Sequence, residues 1–372
     1  MHPLRVLYVQ PGTQSFAGIE RVVDDICTEL SNKFGSAVDI DVLYTTIHNN
    51  RPTTSRAYNI IERVARSRLH LLQTFRSVIK GKHYDVVVVP QIEPTVMCMV
   101  ACLGIKRNFA MHLHGNPHRE RGHLKAKILF WMMKNIFMNR VAHVFGTSPR
   151  QLASFKAMFD SRVPQTWVPN PVRRFSVGKR DKSESTITFV NVGRISFQKG
   201  QDNLIDAFYE LCNVRSNVRL KIIGYGAGKD ALVDKIRRLK LDDSVTIEYY
   251  PDSPEAPLSS ADVYISTSRW EGWSLAICEA LRFGLPVIST DCEFGPSDIL
   301  VDQRLGRLVP ENDMSALVDS MIYYCDNLDE ESKHAEFRRQ YIDRFDVERV
   351  VDDHANALLS ASKKQPSWSA RG

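Results

Sequence analysis

RWEGWSLAICEALRFGLP, residues 269 to 286, carries two glutamates, Glu271 and Glu279, with seven residues between them. Glu271 precedes a glycine in a stretch with the composition of a loop. Ser274 is placed to cap a helix over Leu275 to Phe283, which Gly284 and Pro286 stop. Glu279 then falls on the second turn of that helix, and Glu271 lies beside its N-terminus. A helix N-terminus offers unpaired backbone N–H groups and a partial positive charge, suited to an anion or to sugar hydroxyls. A carboxylate can accept two hydrogen bonds from a vicinal diol. The pattern fits a cradle for a phosphorylated polyol. It fits equally an acidic loop residue followed by one on a solvated helix face, and the spacing alone favours that plainer reading.

The flanks add weight. SSADVYISTSRWEG, residues 259 to 272, leads in, and EALRFGLPVIST, Asp291 and FGPSDIL (294 to 300) lead out. Further upstream, a strand over Thr186 to Val192 runs into GRISFQKG, residues 193 to 200. There Arg194, with its planar fork, and Lys199, with its point charge, stand between Gly193 and Gly200, as a phosphate site requires. The strand Arg219 to Ile223 enters GYGAG, whose Gly224 and Gly226 are weak signals by themselves. Val245 to Tyr250 reads as the next strand. Residues 315–325 and 331–345 read as helical, Val347 to Ala361 as a last helix, and the tail KKQPSWSARG as disordered.

The first half opens in the same style. A strand over Leu4 to Val9, a loop with Gly12, Ser15 and Gly18, and a helix from Ile19 to Phe34 begin a doubly wound α/β domain. Val38 to Tyr44 reads as a second strand and residues 51–83 as a basic helical stretch with Arg56, Arg63, Arg66 and Arg68. Tyr84 to Pro90 is apolar enough for a central parallel strand. Phe109 to His114 reads as another, ending in HLHGNPHRE, where His112, His114 and His118 crowd together. Open α/β sheets bind ligands at such strand ends. A metal cluster is the weaker reading, because alternation alone puts His112 and His114 on one face. Residues 119–145 interleave Arg119, Arg121, Lys125, Lys127, Lys134 and Arg140 with Ile128, Phe130, Trp131, Ile136 and Phe137. That pattern suits a core helix with a solvated basic edge or a helix lying in a membrane interface. Residues 163–183, rich in proline and basic residues, read as the linker between domains.

Length and composition set the frame. The 372 residues fit two domains. No apolar run is long enough to span a membrane, and MHPLRVLYVQPG reads as a first strand rather than a signal peptide. The seven cysteines lack paired spacing, Cys98 and Cys102 have no partners for zinc, and a reducing cytoplasm is expected. Charge is uneven: residues 1–180 hold 26 basic and 11 acidic side chains, residues 181–372 hold 23 and 32. So basic a first half suits an anionic partner, either lipid headgroups, a diphosphate or nucleic acid, or else a solvated surface balanced by the acidic half.

Taken together, these stretches resemble the Glu-x(7)-Glu region and phosphate loop of the retaining glycosyltransferases of family four. The likeness is loose over the first half and specific from residue 186 to about 309. It implies an α/β, GT-B fold: two Rossmann-like doubly wound domains facing a cleft. Residues 1–170 would form the acceptor domain, with the helix in 347–372 crossing back to it, and residues 171–346 the nucleotide-sugar donor domain. The implied activity is retaining transfer of a hexose or N-acetylhexosamine from a nucleotide sugar, without a metal or other cofactor. A UDP-sugar is the preferred donor and GDP-mannose the alternative. The basic first half suggests a membrane-associated glycan or glycolipid acceptor, in surface polysaccharide or lipopolysaccharide synthesis, and peripheral contact with the inner face of the membrane.

The resemblance also implies roles. His114, Glu271, Arg194 and Lys199 would be catalytic. Gly18, Gly193, Gly224, Gly226, Glu279 and the backbone of Gly272, Trp273, Ser274 and Leu275 would join Arg194, Lys199 and Glu271 in holding the donor. Gly18 belongs to AGIER (17 to 21), where Ala17 replaces a family glycine, and Tyr250-Pro251-Asp252 departs from the family pattern near the base. A basic nucleic-acid-binding module is the reading from another class, but no nucleic-acid motif supports it. A phosphorylase-like enzyme with pyridoxal phosphate would need a longer chain.

Overall fold

Among the described residues apolar β-rich runs alternate with helical ones, and within each unit every strand after the first pairs in parallel with an earlier one. The computed structural model describes residues 2–10, 12–13, 18–48, 55–175, 186–250 and 253–363. The chain divides into two units, Met1–Pro171 with Val347–Gly372, and Val172–Asp346.

The first unit runs β1 (Leu4–Val9), α1 (Gly18–Phe34), β2 (Val38–Tyr44), β3 (Asn59–Glu62), α2 (Arg68–Gly81), β4 (Val86–Pro90), α3 (Ile92–Ala101), β5 (Phe109–Leu113), α4 (Leu124–Met132), β6 (Val141–Gly146), α5 (Pro149–Phe159) and β7 (Gln165–Trp167). Its parallel sheet has the order β3-β2-β1-β4-β5-β6-β7, so the winding reverses between β1 and β4. One face carries Leu7, Val9, Val87, Val89, Phe109 and Met111 against Phe75, Ile79, Val96, Phe130 and Phe155 of the helices. The period of two in the strands puts Ala110 and His112 on the other face.

The second unit runs β8 (Ile187–Val192), α6 (Gln201–Cys212), β9 (Val218–Ile223), α7 (Lys229–Arg238), β10 (Val245–Glu248), α8 (Glu255–Ser259), β11 (Val263–Ser266), α9 (Leu275–Arg282), β12 (Val287–Thr290), α10 (Pro296–Ile299), β13 (Gly306–Val309), α11 (Met314–Ser332) and α12 (Ala335–Ile342). Its parallel order is β10-β9-β8-β11-β12-β13, reversing between β8 and β11. The chain enters and leaves this unit side by side: Val172 N–H donates to the Phe345 carbonyl at 2.8 Å. Arg174 Nε donates to Asp346 at 3.0 Å, and Asp346 also takes the buried Arg282 guanidinium. The last helix, α13 (Val347–Ser362), lies on α1 of the first unit, where Lys33 Nζ meets Asp352 at 2.7 Å and donates to the Glu348 carbonyl at 3.0 Å.

Three element readings change. Residues 51–83 are not one helix. Residues 51–54 lie outside the described residues, and Asn59–Glu62 extends as an edge strand beside β2, where β-branched Ile60 and Ile61 suit a sheet. Arg56 is held by Asp24 at 2.6 Å instead of lining a helix face. The helix waits for Ser67, whose hydroxyl accepts from His70 N–H at 3.2 Å. The stretch 163–183 is not all linker, because Gln165–Trp167 adds β7 to β6; residues 176–183 lie outside the described residues. The helix expected over 315–325 continues to Ser332, bending at Asn327. Most of the tail, 364–372, also lies outside the described residues.

Candidate active site

In the second unit the loops leaving β8 and β11 meet at the reversal of strand order, the place where open α/β sheets bind ligands. The β8 loop is first fastened to β9: Gly193 N–H donates to Ile223 O at 3.0 Å and Ile195 N–H to Tyr225 O at 2.8 Å. A 3-10 turn over Phe197–Lys199 follows, and α6 starts after Gly200. Gly200 has φ +64°, and a Cβ there would fall on the Thr267 carbonyl, so only glycine serves.

The β11 loop is clamped to this turn by backbone and side chain alike. Arg269 N–H donates to Gln198 O at 2.8 Å, and Gln198 Nε2 donates to Trp270 O at 3.0 Å. The Arg269 guanidinium lies 4.0 Å from the Phe197 ring and forks onto Asp202, with bonds of 2.9 and 2.6 Å. Burial of Asp202 works against ionisation, but the Arg269 bonds prevail and hold its carboxyl below the usual range. Thr267 Oγ1 donates to Gly200 O at 2.9 Å. These contacts bring Lys199 Nζ within 2.6 Å of Glu271 Oε1, which also accepts from Ser268 Oγ at 2.7 Å. Ser268 is fixed in turn, since its carbonyl accepts from Thr290 Oγ1 at 2.7 Å. Glu271 is thus a buried, bonded carboxylate. The Arg194 carbonyl accepts from Gln201 Nε2 at 3.2 Å, while its side chain is exposed and has no hydrogen-bond or ion-pair partner among the described residues.

The other expected donor residues sort by what they touch. Gly193 packs on the Lys199 stem, 3.5 Å from where a Cβ would stand. A Cβ on Gly224 would overlap the Gly193 carbonyl, and one on Gly226 the Ile195 carbonyl, so both glycines serve the crossing of the two loops. Gly272 is buried with its carbonyl close to Gly295. The Trp273 ring is not a ligand surface: it is buried edge-on against Phe345, 5.1 Å between centroids. Ser274 occupies the cap position of α9 but makes no side-chain cap bond, contrary to expectation, and is buried. Leu275 opens α9 half-buried, and Glu279 is half-buried on its second turn. Burial, with Glu279 beside Cys278 and Glu271 beside Cys292, pushes both thiols up, so neither is a thiolate nucleophile at neutral pH.

In the first unit His114 follows β5. Burial pushes its imidazole down to about 3, against the smaller influence of the nearby Asn170, so it is neutral at physiological pH. Its ring centroid lies 3.9 Å from that of His112, which lies 5.4 Å from His354 of α13. The ring nitrogens of His112 and His354 have no hydrogen-bond partner among the described residues. His118 leaves this group, its Nε2 lying 2.7 Å from Ser154 Oγ. Among the described residues no three His, Cys, Asp or Glu side chains are arranged to hold a metal ion. Gly18 is the first residue of α1, exposed, with no atom of the described residues within 4 Å of where a Cβ would stand. Ala17 lies outside the described residues.

Sequence reasoning missed several residues. Ser268 bonds Glu271, Thr290 holds the Ser268 carbonyl and Thr267 the Gly200 carbonyl, and their only signal is the polar runs STS (266–268) and ST (289–290) at the ends of apolar strands. Gln91, at φ +64° after β4, has its amide placed to accept from Gly115 N–H at 3.0 Å and donate to Glu120 Oε1 at 2.7 Å. Burial chiefly, with Glu93 adding, pushes the Glu120 carboxyl up to about 7, against the bond from Ile92 N–H.

Residues 172–341 match the family model of the glycosyl transferases group 1. Over these residues, less than half of the chain, it is similar to the group 1 glycosyl transferases. An uncharacterized glycosyltransferase, MJ1059, of Methanocaldococcus jannaschii is 34% identical over 144 residues, 39% of this chain and 34% of that protein. The lipopolysaccharide 1,6-galactosyltransferase of Escherichia coli K12 is 30% identical over 160 residues, 42% of this chain and 44% of that one. The chain thus spans less than half the length of these two curated relatives. The Anabaena protein Alr3699/HepE, solved in complex with UDP and glucose, superposes with a TM-score of 0.79 at 18% identity, covering 96% of this chain and 100% of that one. The fold is that of the GT-B glycosyltransferases, two parallel-sheet Rossmann-like domains in one chain. The group 1 match ends at residue 341 and covers the unit that holds Lys199 and Glu271.

Proposed function

We propose that this chain transfers a hexose or N-acetylhexosamine from a nucleotide sugar to a membrane-associated glycan or glycolipid, in the synthesis of a surface polysaccharide or lipopolysaccharide. The observation that carries the reading is the Lys199–Glu271 pair, 2.6 Å long, at the strand reversal of the second unit, with the exposed Arg194 on the same β8 loop. A departing nucleoside diphosphate gains negative charge, and a fixed ammonium and guanidinium meet that charge without reorganising. Lys199 and Ser268 both bond Oε1 of Glu271, which leaves Oε2 to accept from sugar hydroxyls. Glu279 takes the ribose diol, and His114 orients the sugar as a neutral imidazole.

Transfer retains the anomeric configuration. The acceptor hydroxyl oxygen bonds to the anomeric carbon on the face from which the diphosphate leaves, and the bond from that carbon to the phosphate oxygen breaks. The acceptor's proton passes to the leaving phosphate. The protein's cations supply the charge for this step, so no metal is needed. UDP is the preferred nucleotide, in keeping with the Anabaena neighbour bound to UDP and the Escherichia coli relative named as a galactosyltransferase. GDP-mannose is the alternative. The enzyme works on the cytoplasmic face of the membrane.

A thermal-shift series with UDP, GDP, ADP and CMP, with and without a chelator, tests the reading, since a ligand that binds only the folded state raises Tm. The expected result is a shift with UDP that the chelator leaves in place, followed by turnover of UDP-galactose, UDP-glucose or a UDP-N-acetylhexosamine. A shift with GDP alone redirects the donor to GDP-mannose. No shift with any nucleotide overturns the enzyme reading.

A further inference from the structure

The helix α4 is apolar on two sides, and the core of its unit covers only one of them. Ala126 and Phe130, continued by Met133 and Phe137, point inward and are buried. Leu124, Ile128 and Trp131, at the helical spacing i, i+4, i+7, form an outward row with relative exposures of 74%, 53% and 60%. Ile136, in the π-helical turn that prolongs α4, adds 51%. Lys127 and Lys134 flank the row, exposed and without a partner among the described residues. The acidic groups near it are spoken for: Glu93 is paired with Lys125, and Glu120 is turned to Gln91 and the N–H of Ile92. A neighbouring turn enlarges the patch. Leu103, exposed, follows α3; Arg76 holds its carbonyl and that of Ala101, and Arg140 from the end of the α4 segment holds that of Cys102.

We infer that the outer face of α4, from Leu124 to Ile136, seats in the headgroup region of an anionic lipid bilayer. Three observations choose this occupant. The apolar row is a single convex helix ridge ending in a tryptophan, a side chain whose apolar body and polar N–H suit the membrane–water boundary. The lysines lie at its edge, where they reach anionic headgroups while the row enters the acyl boundary. Residues 51–180 hold 23 basic and 5 acidic side chains, so the charge around the ridge complements an anionic surface. A second copy fits less well, because a two-fold pairing would set this excess of positive charge against itself. Binding to vesicles needs no sugar nucleotide, so the inference stands or falls separately from the transferase reading.

The test uses the full chain and vesicles of phosphatidylcholine with 30% phosphatidylglycerol, or of phosphatidylcholine alone, made by the experimenter at about 50 and 300 mM salt. Co-sedimentation is expected to be roughly tenfold or more stronger with the anionic vesicles and to weaken at the higher salt. Ile128→Glu/Trp131→Glu is expected to lose that binding, and Lys127→Glu/Lys134→Glu to weaken it at low salt. Both pairs change exposed side chains, and an unchanged Tm verifies that they fold. Brominated acyl chains are expected to quench the fluorescence of the native chain, and the quenching to drop in Trp131→Phe. Equal binding to both vesicle types, no binding, unchanged binding by the Glu variants, or quenching that survives Trp131→Phe overturns the inference. So does a solution dimer that Trp131→Glu dissolves, which would give the face to a second copy.

Discussion

The ammonium of Lys199 donates to Glu271 Oε1 at 2.6 Å, although 72 residues separate the two in the chain. They come from the loops that leave adjacent parallel strands, β8 and β11, at the reversal of the second sheet. Glu271 is 5% exposed, so removing its cation leaves a buried carboxylate with only the Ser268 hydroxyl. Breaking one side of a buried pair costs about 3–5 kcal/mol when burial is complete, and less here because Lys199 is partly open to water. Lys199→Ala is therefore expected to destabilise the protein by about 2–3 kcal/mol in urea unfolding. Lys199→Ala/Glu271→Ala should be less destabilised than the sum of the single changes, with a coupling of about 1–3 kcal/mol. Both single variants should lose sugar transfer. A double mutant that is simply additive would mean the pair is not coupled.

Two glycines in the expected donor site should respond in opposite ways. A Cβ on Gly224 overlaps the Gly193 carbonyl, and neither loop can shift without breaking the ladder between β8 and β9. Gly224→Ala is expected to lower stability by about 2 kcal/mol or more. Gly18 has nothing among the described residues within 4 Å of a Cβ and lies in a helix, where alanine is favoured by up to ~1 kcal/mol. Gly18→Ala should leave Tm unchanged or raised. A fall in transfer by that stable variant, measured with saturating donor and with saturating acceptor in turn, would show a substrate approaching the backbone there.

How far the sequence reveals the molecule depends on the range of the interaction concerned. The parallel strands β1, β4 and β8 were legible because buried parallel strands are continuous apolar runs. The loop glycines and the Arg194–Lys199 spacing are likewise local. The Lys199–Glu271 bond, the Ser268 and Thr290 hydroxyls beneath it, and the Arg269–Asp202 fork were not legible, because each joins residues whose proximity only the strand order creates. The short edge strand Asn59–Glu62 was hidden by the arginines around it, whose charge reads as a solvated helix until Arg56 is seen on Asp24. The burial of the Trp273 ring was not legible for the same reason: its partner, Phe345, is far along the chain.

The histidines of the first unit make an acid-labile spot. Burial depresses His114 and His354 to about 3, His143 to about 4, and His112 as well. Unfolded histidine titrates near pH 6.5, so below that pH the unfolded chain binds more protons than the folded one. Their contribution is complete above about pH 6.5 and is lost as pH falls towards the folded values, by up to ~1.4 kcal/mol per pH unit for each. Glu120, raised to about 7, runs the other way between its unfolded value and 7, but it is one group against four. Stability is expected to fall from pH 6.5 to 4.5, and His354→Leu, which removes a buried imidazole without a partner, should reduce the slope by roughly 1 kcal/mol per unit. Urea titrations at three pH values would measure it, and an unchanged slope would show that His354 titrates normally.

Arg194 separates binding from folding. Its side chain is exposed and has no partner among the described residues, so Arg194→Ala should change stability by less than ~0.5 kcal/mol. Charge-assisted bonds to a phosphate are worth about 1.5–3 kcal/mol each, so the same variant should bind UDP roughly 10- to 100-fold more weakly. Arg194→Lys keeps the charge but not the two-pronged geometry and should recover only part of the loss. Calorimetric titration of UDP into the three proteins, at two salt concentrations, distinguishes the cases. Equal affinity in all three would place the diphosphate away from the β8 loop and leave Lys199 as a structural partner of Glu271, whereas the graded loss identifies the loop as the seat of the leaving group.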